Sequence, residues 1–148
     1  MKECLFCNIQ QGVTPPIDGP IYEDDLVYAH HAHFGEGPYY LGRIAVETKR
    51  HVSDFADLTP AEAQAMGLLI ARLSHGLKVC TGAEKVYMEF YGEVTPHVHG
   101  FLTARYPGTP TEYLRWNVEN WPGAPRGGAD DIASLCQRLR SMLADTDN

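Results

Sequence analysis

The chain has 148 residues, 44% of them hydrophobic and 21% charged, with a net charge of −7 at pH 7. That length suits one domain with its own core, burying roughly two thirds of the surface an unfolded chain exposes. No apolar run approaches the ~20 residues of a membrane span, the opening MKECLFCNIQQG lacks the apolar stretch of a secretory signal, and no basic stripe is present to neutralise a nucleic-acid backbone, so a soluble cytoplasmic domain is expected, with a small anionic ligand still allowed.

The chain opens on a C-x-x-C pair, Cys4 and Cys7. Three readings stand for it: two ligands of a zinc site that needs two more, a redox pair, which ordinarily begins a helix after a strand, or two unpaired thiols. TPPIDGP (14–20) and FGEGPYYLG (34–42) carry the Gly and Pro of loops. Between them IYEDDLVYAHHA (21–32) spells two strands with a turn at Asp24 and Asp25, and RIAVETK (43–49) alternates as a half-buried strand does. Thr59, Pro60 and Glu62 have the spacing of a capping box at the start of a long helix. Its apolar face runs Ala63, Met66, Ile70, Leu73 and Leu77, and Thr81-Gly82 ends it. EKVYMEFYG (84–92) and HVHGFLTARY (97–106) follow as adjacent strands, and Ile132, Leu135, Leu139 and Met142 mark a C-terminal helix. The class is α+β. Cys80 and Cys136 fall within helical patterns among apolar neighbours and are expected in the core. The stretch 107–128, with Trp116 and Trp121, is expected to be an irregular loop packed by its aromatics.

In the second of those strands, residues two apart share a face, so His97, His99 and Phe101 are expected to project together. A neutral imidazole is a competent nucleophile near pH 7, and a hydrogen bond from its far nitrogen would fix which nitrogen presents its lone pair. An H-x-H pair on a strand equally fits a polar patch with no role.

From about Cys4 to Arg105 the sequence resembles the histidine triad (HIT) family of nucleotide hydrolases and transferases, in its zinc-containing bacterial branch. The stretches that carry the resemblance are CLFCNIQQG, IYEDDLVYA, TKRHVSDFADLTPAEAQAM and YGEVTPHVHGFLTARYP. It implies a HIT-like fold, a five-stranded antiparallel sheet with one long helix plus a C-terminal helix. A single domain would span 1–148, with its core about 4–106 and an extension from 107, usually joined into a homodimer. It also implies that His99, with His97 beside it, attacks the α-phosphate of a nucleoside phosphoramidate, dinucleoside polyphosphate or similar compound through a nucleotidyl-histidine. Cys4, Cys7, His51 and His97 would hold a structural zinc ion (Zn2+).

Where substrate should sit, the chain departs from the family pattern. The third triad histidine is Phe101, which cannot hydrogen-bond to phosphate. Glu93 replaces a glutamine and brings negative charge toward an anionic ligand. Ala32 stands where an aspartate holds the ribose, and Arg43 replaces a histidine with a group able to clamp phosphate. Arg105 matches the arginine that follows the triad. In AHHAH (29–33), His31 and His33 are expected to share one face, with His30 on the other. They would either replace the ribose contacts or form a solvated loop edge. Tyr39 and Tyr40 would stack on a ligand ring or pack the loop. Trp116, Trp121 and Arg126 would shape specificity from the C-terminal segment, although a tryptophan in a Pro-rich loop is commonly a packing anchor. These departures leave two alternatives to an ordinary enzyme: a HIT-fold binding or regulatory module that has lost the chemistry, and an enzyme for a non-standard phosphate compound.

Overall fold

The computed structural model describes residues 3–145. In chain order its elements are α1 (Leu5–Gln10), β1 (Tyr22–Glu23), β2 (Val27–His31), β3 (Tyr39–Tyr40), β4 (Arg43–Thr48), α2 (Pro60–Thr81), β5 (Lys85–Phe90), β6 (His99–Arg105), β7 (Arg126–Gly127) and α3 (Ala129–Asp145). Five strands form one antiparallel sheet in the order β1-β2-β4-β6-β5, and β3 pairs with β7 in a separate ribbon. The expected α+β class, sheet and two helices are therefore present.

Local chemistry sets the punctuation. Asp24 closes the first hairpin by accepting the N–H groups of Leu26 and Val27 at 2.7 and 2.9 Å, and it takes the Tyr22 hydroxyl at 2.9 Å. The Thr59 hydroxyl accepts the Glu62 N–H while the Glu62 carboxylate accepts the Thr59 N–H, completing the capping box of α2. Glu62 also receives Arg50 through two parallel bonds of 2.8 Å, tying the segment after β4 to the head of the helix.

The core lies between one face of the sheet and the helices α2 and α3. Val27, Ala29, Ile44, Val46 and Leu102 meet Met66, Leu69, Leu73 and Leu77 of α2 and Ile132, Leu135, Cys136, Leu139 and Leu143 of α3. This shifts the expected stripes slightly. Leu69 is buried where Ile70 is only partly so, Ala63 is exposed, and Leu143 lies deeper than Met142. Cys136 is fully buried as expected, but Cys80 is only half-buried.

Other differences have plain causes. β6 begins at His99 because Val98 gives its N–H to the Val52 carbonyl and not to a strand neighbour. α1 escapes a sequence reading since six residues are too few for a periodic pattern, and the two-residue strands β3 and β7 give no alternation to read. β4 is expected to be half-buried yet is buried on both faces, because α1 lies over the side opposite the helices, with Phe6 against Ala32 and Ala45. At Gly100 two side chains of β5 come close, and an added Cβ would meet Met88 and, at 2.7 Å, the Phe90 ring.

Candidate functional site

The N-terminal C-x-x-C, the segment after β4 and the residue before Val98 converge on one point. Cys4 Sγ lies 3.3 Å from His97 Nδ1, Cys7 Sγ lies 3.6 Å from the same nitrogen, and Cys7 Sγ lies 3.4 Å from His51 Nδ1. All four ligand atoms fall within 4.8 Å of one another. The edge between a sulfur and a nitrogen around tetrahedral zinc is about 3.5 Å, given zinc bond lengths of about 2.3 and 2.0 Å. Two thiols and two imidazoles at these separations fit zinc. The outer partner fits as well: His97 Nε2 donates to the Thr48 carbonyl at 2.7 Å, which fixes the tautomer and turns the Nδ1 lone pair toward the thiols. Both His97 nitrogens are thus committed. The expectation that His97 faces a substrate beside His99 is corrected; it faces the cysteines, and burial holds its pKa below the ordinary histidine value.

His99 sits next to this cluster and opens onto a cavity of about 500 Å³, within the range of pockets that enclose small ligands. Its Nδ1 donates to the His97 carbonyl at 2.6 Å, so the lone pair resides on Nε2. Burial lowers its pKa, and the carbonyl contact opposes that shift without cancelling it, so the ring is neutral near pH 7. Phe6 of α1 packs on it with ring centroids 4.1 Å apart. The cavity is walled by Phe6, Ile9, Phe34, Tyr91 and Phe101, and its polar lining includes His30, His33, Glu93 and Thr95.

Several expected residues are found there. Phe101, two residues on from His99 in β6, lines the cavity with its ring centroid 5.6 Å from that of His99. Glu93 is exposed in its wall, Ala32 is buried in it, and His33 is half-buried where it meets a second cavity of about 270 Å³. Others lie elsewhere. Arg43 lines the second cavity, its guanidinium 4.3 Å above the Phe101 ring, with Nη1 donating to Glu119 at 2.6 Å and to Thr103 Oγ1 at 3.3 Å. Tyr39, Tyr40 and Arg126 line that cavity too, so the C-terminal segment does reach the neighbourhood. Arg105 stands at the far end of β6 with its Nη2 3.4 Å from Glu84, outside either cavity. Trp116 is exposed, and Trp121 packs with Tyr40, Tyr106 and Val118 as an anchor.

His31 requires correction. It is fully buried, and its Nε2 accepts the Gly42 N–H at 3.0 Å. Desolvation pushes its pKa down to about 4. His30 takes the cavity side instead: β2 pairs His30 with Ala45 and His31 with Ile44, and Ile44 is a core residue. The chain leaves the sheet after His31, so strand alternation does not carry on to His33.

Glu47 is a residue the sequence reading passes over. It lies directly across from His99 in the sheet and is fully buried, and burial raises its carboxyl pKa to about 8. Alternation in RIAVETK assigns it to a solvent face, and only the unforeseen α1 makes that face interior. A carboxylate in an otherwise largely apolar strand was the available signal.

No model of a protein family matches the chain, and no curated protein sequence does, but solved structures match over nearly all of its length. A zinc-bound histidine triad family protein from Mycobacterium smegmatis is 22% identical, with 98% of this chain and 96% of that one covered and a TM-score of 0.71. A hypothetical histidine triad nucleotide-binding protein from Sulfolobus tokodaii is 17% identical over 97% and 94%, with a TM-score of 0.73. A HIT-like protein involved in cell-cycle regulation from Bartonella henselae is 14% identical over 96% and 98%, with a TM-score of 0.69. At these identities what is shared is the fold, and it is the fold of histidine triad proteins.

Proposed function

We propose that this chain is a zinc-stapled nucleotide hydrolase or nucleotidyl transferase of the histidine triad type, acting through His99. The observation that carries the reading is the state of that ring: Nδ1 is held by the His97 carbonyl at 2.6 Å, and the ring opens onto an apolar cavity sized for a small ligand. Nε2 attacks the α-phosphorus of a nucleoside phosphoramidate, dinucleoside polyphosphate or similar compound. As the N–P bond forms, the bond to the leaving amine or phosphate breaks, and that group leaves with the electron pair and takes up a proton. The imidazolium of the nucleotidyl-histidine keeps its Nδ1 proton on the His97 carbonyl. Water, or another acceptor, then attacks the phosphorus and returns His99 to its neutral form.

Cys4, Cys7, His51 and His97 would hold zinc, which supplies a cross-link between α1 and the start of β6 and has no ligand position left for chemistry. We read residues 1–148 as a single unit, of which 1–2 and 146–148 lie outside the described residues, paired into a homodimer in the cytoplasm. Among the described residues no helix is long and apolar enough to cross a membrane.

A second reading, a module that binds nucleotide without turnover, is favoured by one contact. Arg43, the cation beside Phe101, is already engaged by Glu119 and stacked on the ring. Intact-mass analysis of the protein mixed with adenosine 5′-phosphoramidate and quenched at alkaline pH separates the two. A single nucleotidyl adduct that disappears in His99→Ala supports the enzyme. Nucleotide binding with neither adduct nor turnover supports the module.

A further inference from the structure

Behind the cavity wall, two buried polar atoms face each other, and among the described residues neither has a hydrogen-bond partner. His30 Nδ1 and Glu47 Oε2 are 3.5 Å apart, their side chains 6% and 0% exposed. Glu47 Oε1 is used separately, accepting from Gln10 Nε2 at 3.4 Å, so that oxygen needs no proton. Buried polar atoms left unpaired are costly, and here the two lie 3.5 Å apart, within reach of satisfying each other. A proton held between them, with a closing of about a few tenths of an ångström, makes an ordinary hydrogen bond.

Proton counting then fixes what the cavity sees. Enclosed this deeply, the pair is most stable with no net charge. A neutral pair carries two protons, one between Oε2 and Nδ1 and one on Nε2, wherever the shared proton formally sits. The raised carboxyl and the lowered imidazole, both due chiefly to burial, agree with that count. His30 lines the cavity while its Nδ1 is taken by Glu47, so the cavity is offered an N–H donor at Nε2.

We propose that the Glu47–His30 pair is a specificity element that donates a hydrogen bond to a carbonyl oxygen on the ring of the ligand, selecting nucleotides of oxo-bases over those whose ring edge presents an amino group. The remaining walls suit a flat ring: Phe6, Ile9, Phe34 and Phe101 supply apolar surface, and His30 is the most deeply buried polar side chain among the lining residues. An amino group placed against this N–H would set donor against donor and leave both unpaired. Glu47 acts through His30 and is a positioning residue.

This inference rests on the reading of the cavity as a nucleotide site, and the test separates the two. Titration calorimetry compares inosine monophosphate with adenosine monophosphate, which differ at that ring position, on the zinc-loaded full-length chain. The wild type is expected to bind inosine monophosphate at least ~10-fold more tightly, and His30→Phe is expected to bring the ratio to near one. Glu47→Gln retains the preference, because its amide can donate to Nδ1 and keep the proton on Nε2. Glu47→Leu, which removes that donor, loses the preference. Equal binding in the wild type, tighter adenosine monophosphate, or a preference that survives His30→Phe overturns the inference and leaves the nucleotide reading standing. A preference lost in Glu47→Gln overturns the role of Glu47. Binding of neither nucleotide overturns the parent reading and this inference together.

Discussion

With Nδ1 tied to the His97 carbonyl, His99 needs no carboxylate partner to be a nucleophile near neutral pH, because burial already keeps the ring unprotonated. What the site lacks is a donor at Phe101. Phe101→His is expected to raise turnover of adenosine 5′-phosphoramidate by about 10²-fold, the size of effect that one charge-stabilising donor has elsewhere; steady-state kinetics at matched zinc content would show it. Stability should carry its own pH signature. The His31 imidazole is held at about 4 against an ordinary 6.5, so between those values the unfolded chain takes up a proton that the folded chain refuses. That contribution is intact above pH 6.5 and is lost as pH falls toward 4. Glu47 works the other way, retaining a proton when folded, so stability declines as pH rises from 4.5 to about 8. His31→Asn is therefore expected to flatten the acid side of a melting-temperature profile and leave the alkaline side as it was; an unchanged acid limb would refute the assignment. Residue types were legible in the sequence, and the resemblance grouped Cys4, Cys7, His51 and His97, which the structure brings together. Which of His30 and His31 faces the cavity was not legible, since a one-residue change of register exchanges the faces of a strand.

Among the elements, α2 was readable to the residue because its capping box is a local contact. α1 was not, and this one omission propagates: it turns β4 from half-buried to buried, makes Glu47 interior and places Phe6 on His99. Between β3 and β4, Gly42 has φ +91°, and an added Cβ would lie 2.9 Å from Ala104 Cβ. It also gives its N–H to His31. Gly42→Ala is expected to destabilise the chain by about 1–3 kcal/mol, from the left-handed backbone together with the clash, as read by urea denaturation. A loss within error of zero would mean that the turn relaxes freely.

At the scale of the molecule, the α+β class follows from short-range signals and the five-stranded sheet from the resemblance, whereas the site is assembled from distant pieces: residues 4–10, 30, 47–51 and 91–101 meet around one cavity and one candidate metal cluster. Proximity of that kind has no local signature, and only the resemblance of the whole pattern to histidine triad proteins predicted it. The cluster ties α1 to the sheet through Cys4 and Cys7. Purified without chelators, the protein is expected to carry about one zinc per chain by plasma mass spectrometry, and stripping the metal should lower the melting temperature by at least ~10 °C and weaken nucleotide binding as α1 leaves His99. Less than about half an equivalent would argue against the four-ligand site. The central claim, that His99 still makes a working site with Phe101 beside it, is tested most directly by a ³¹P NMR time course with adenosine 5′-phosphoramidate and a diadenosine polyphosphate, run on the wild type and His99→Ala. The resonance of AMP should grow with the wild type and fail to appear with the variant. Turnover equal in both, or ligand lines that broaden on binding while no AMP forms with either, would contradict it.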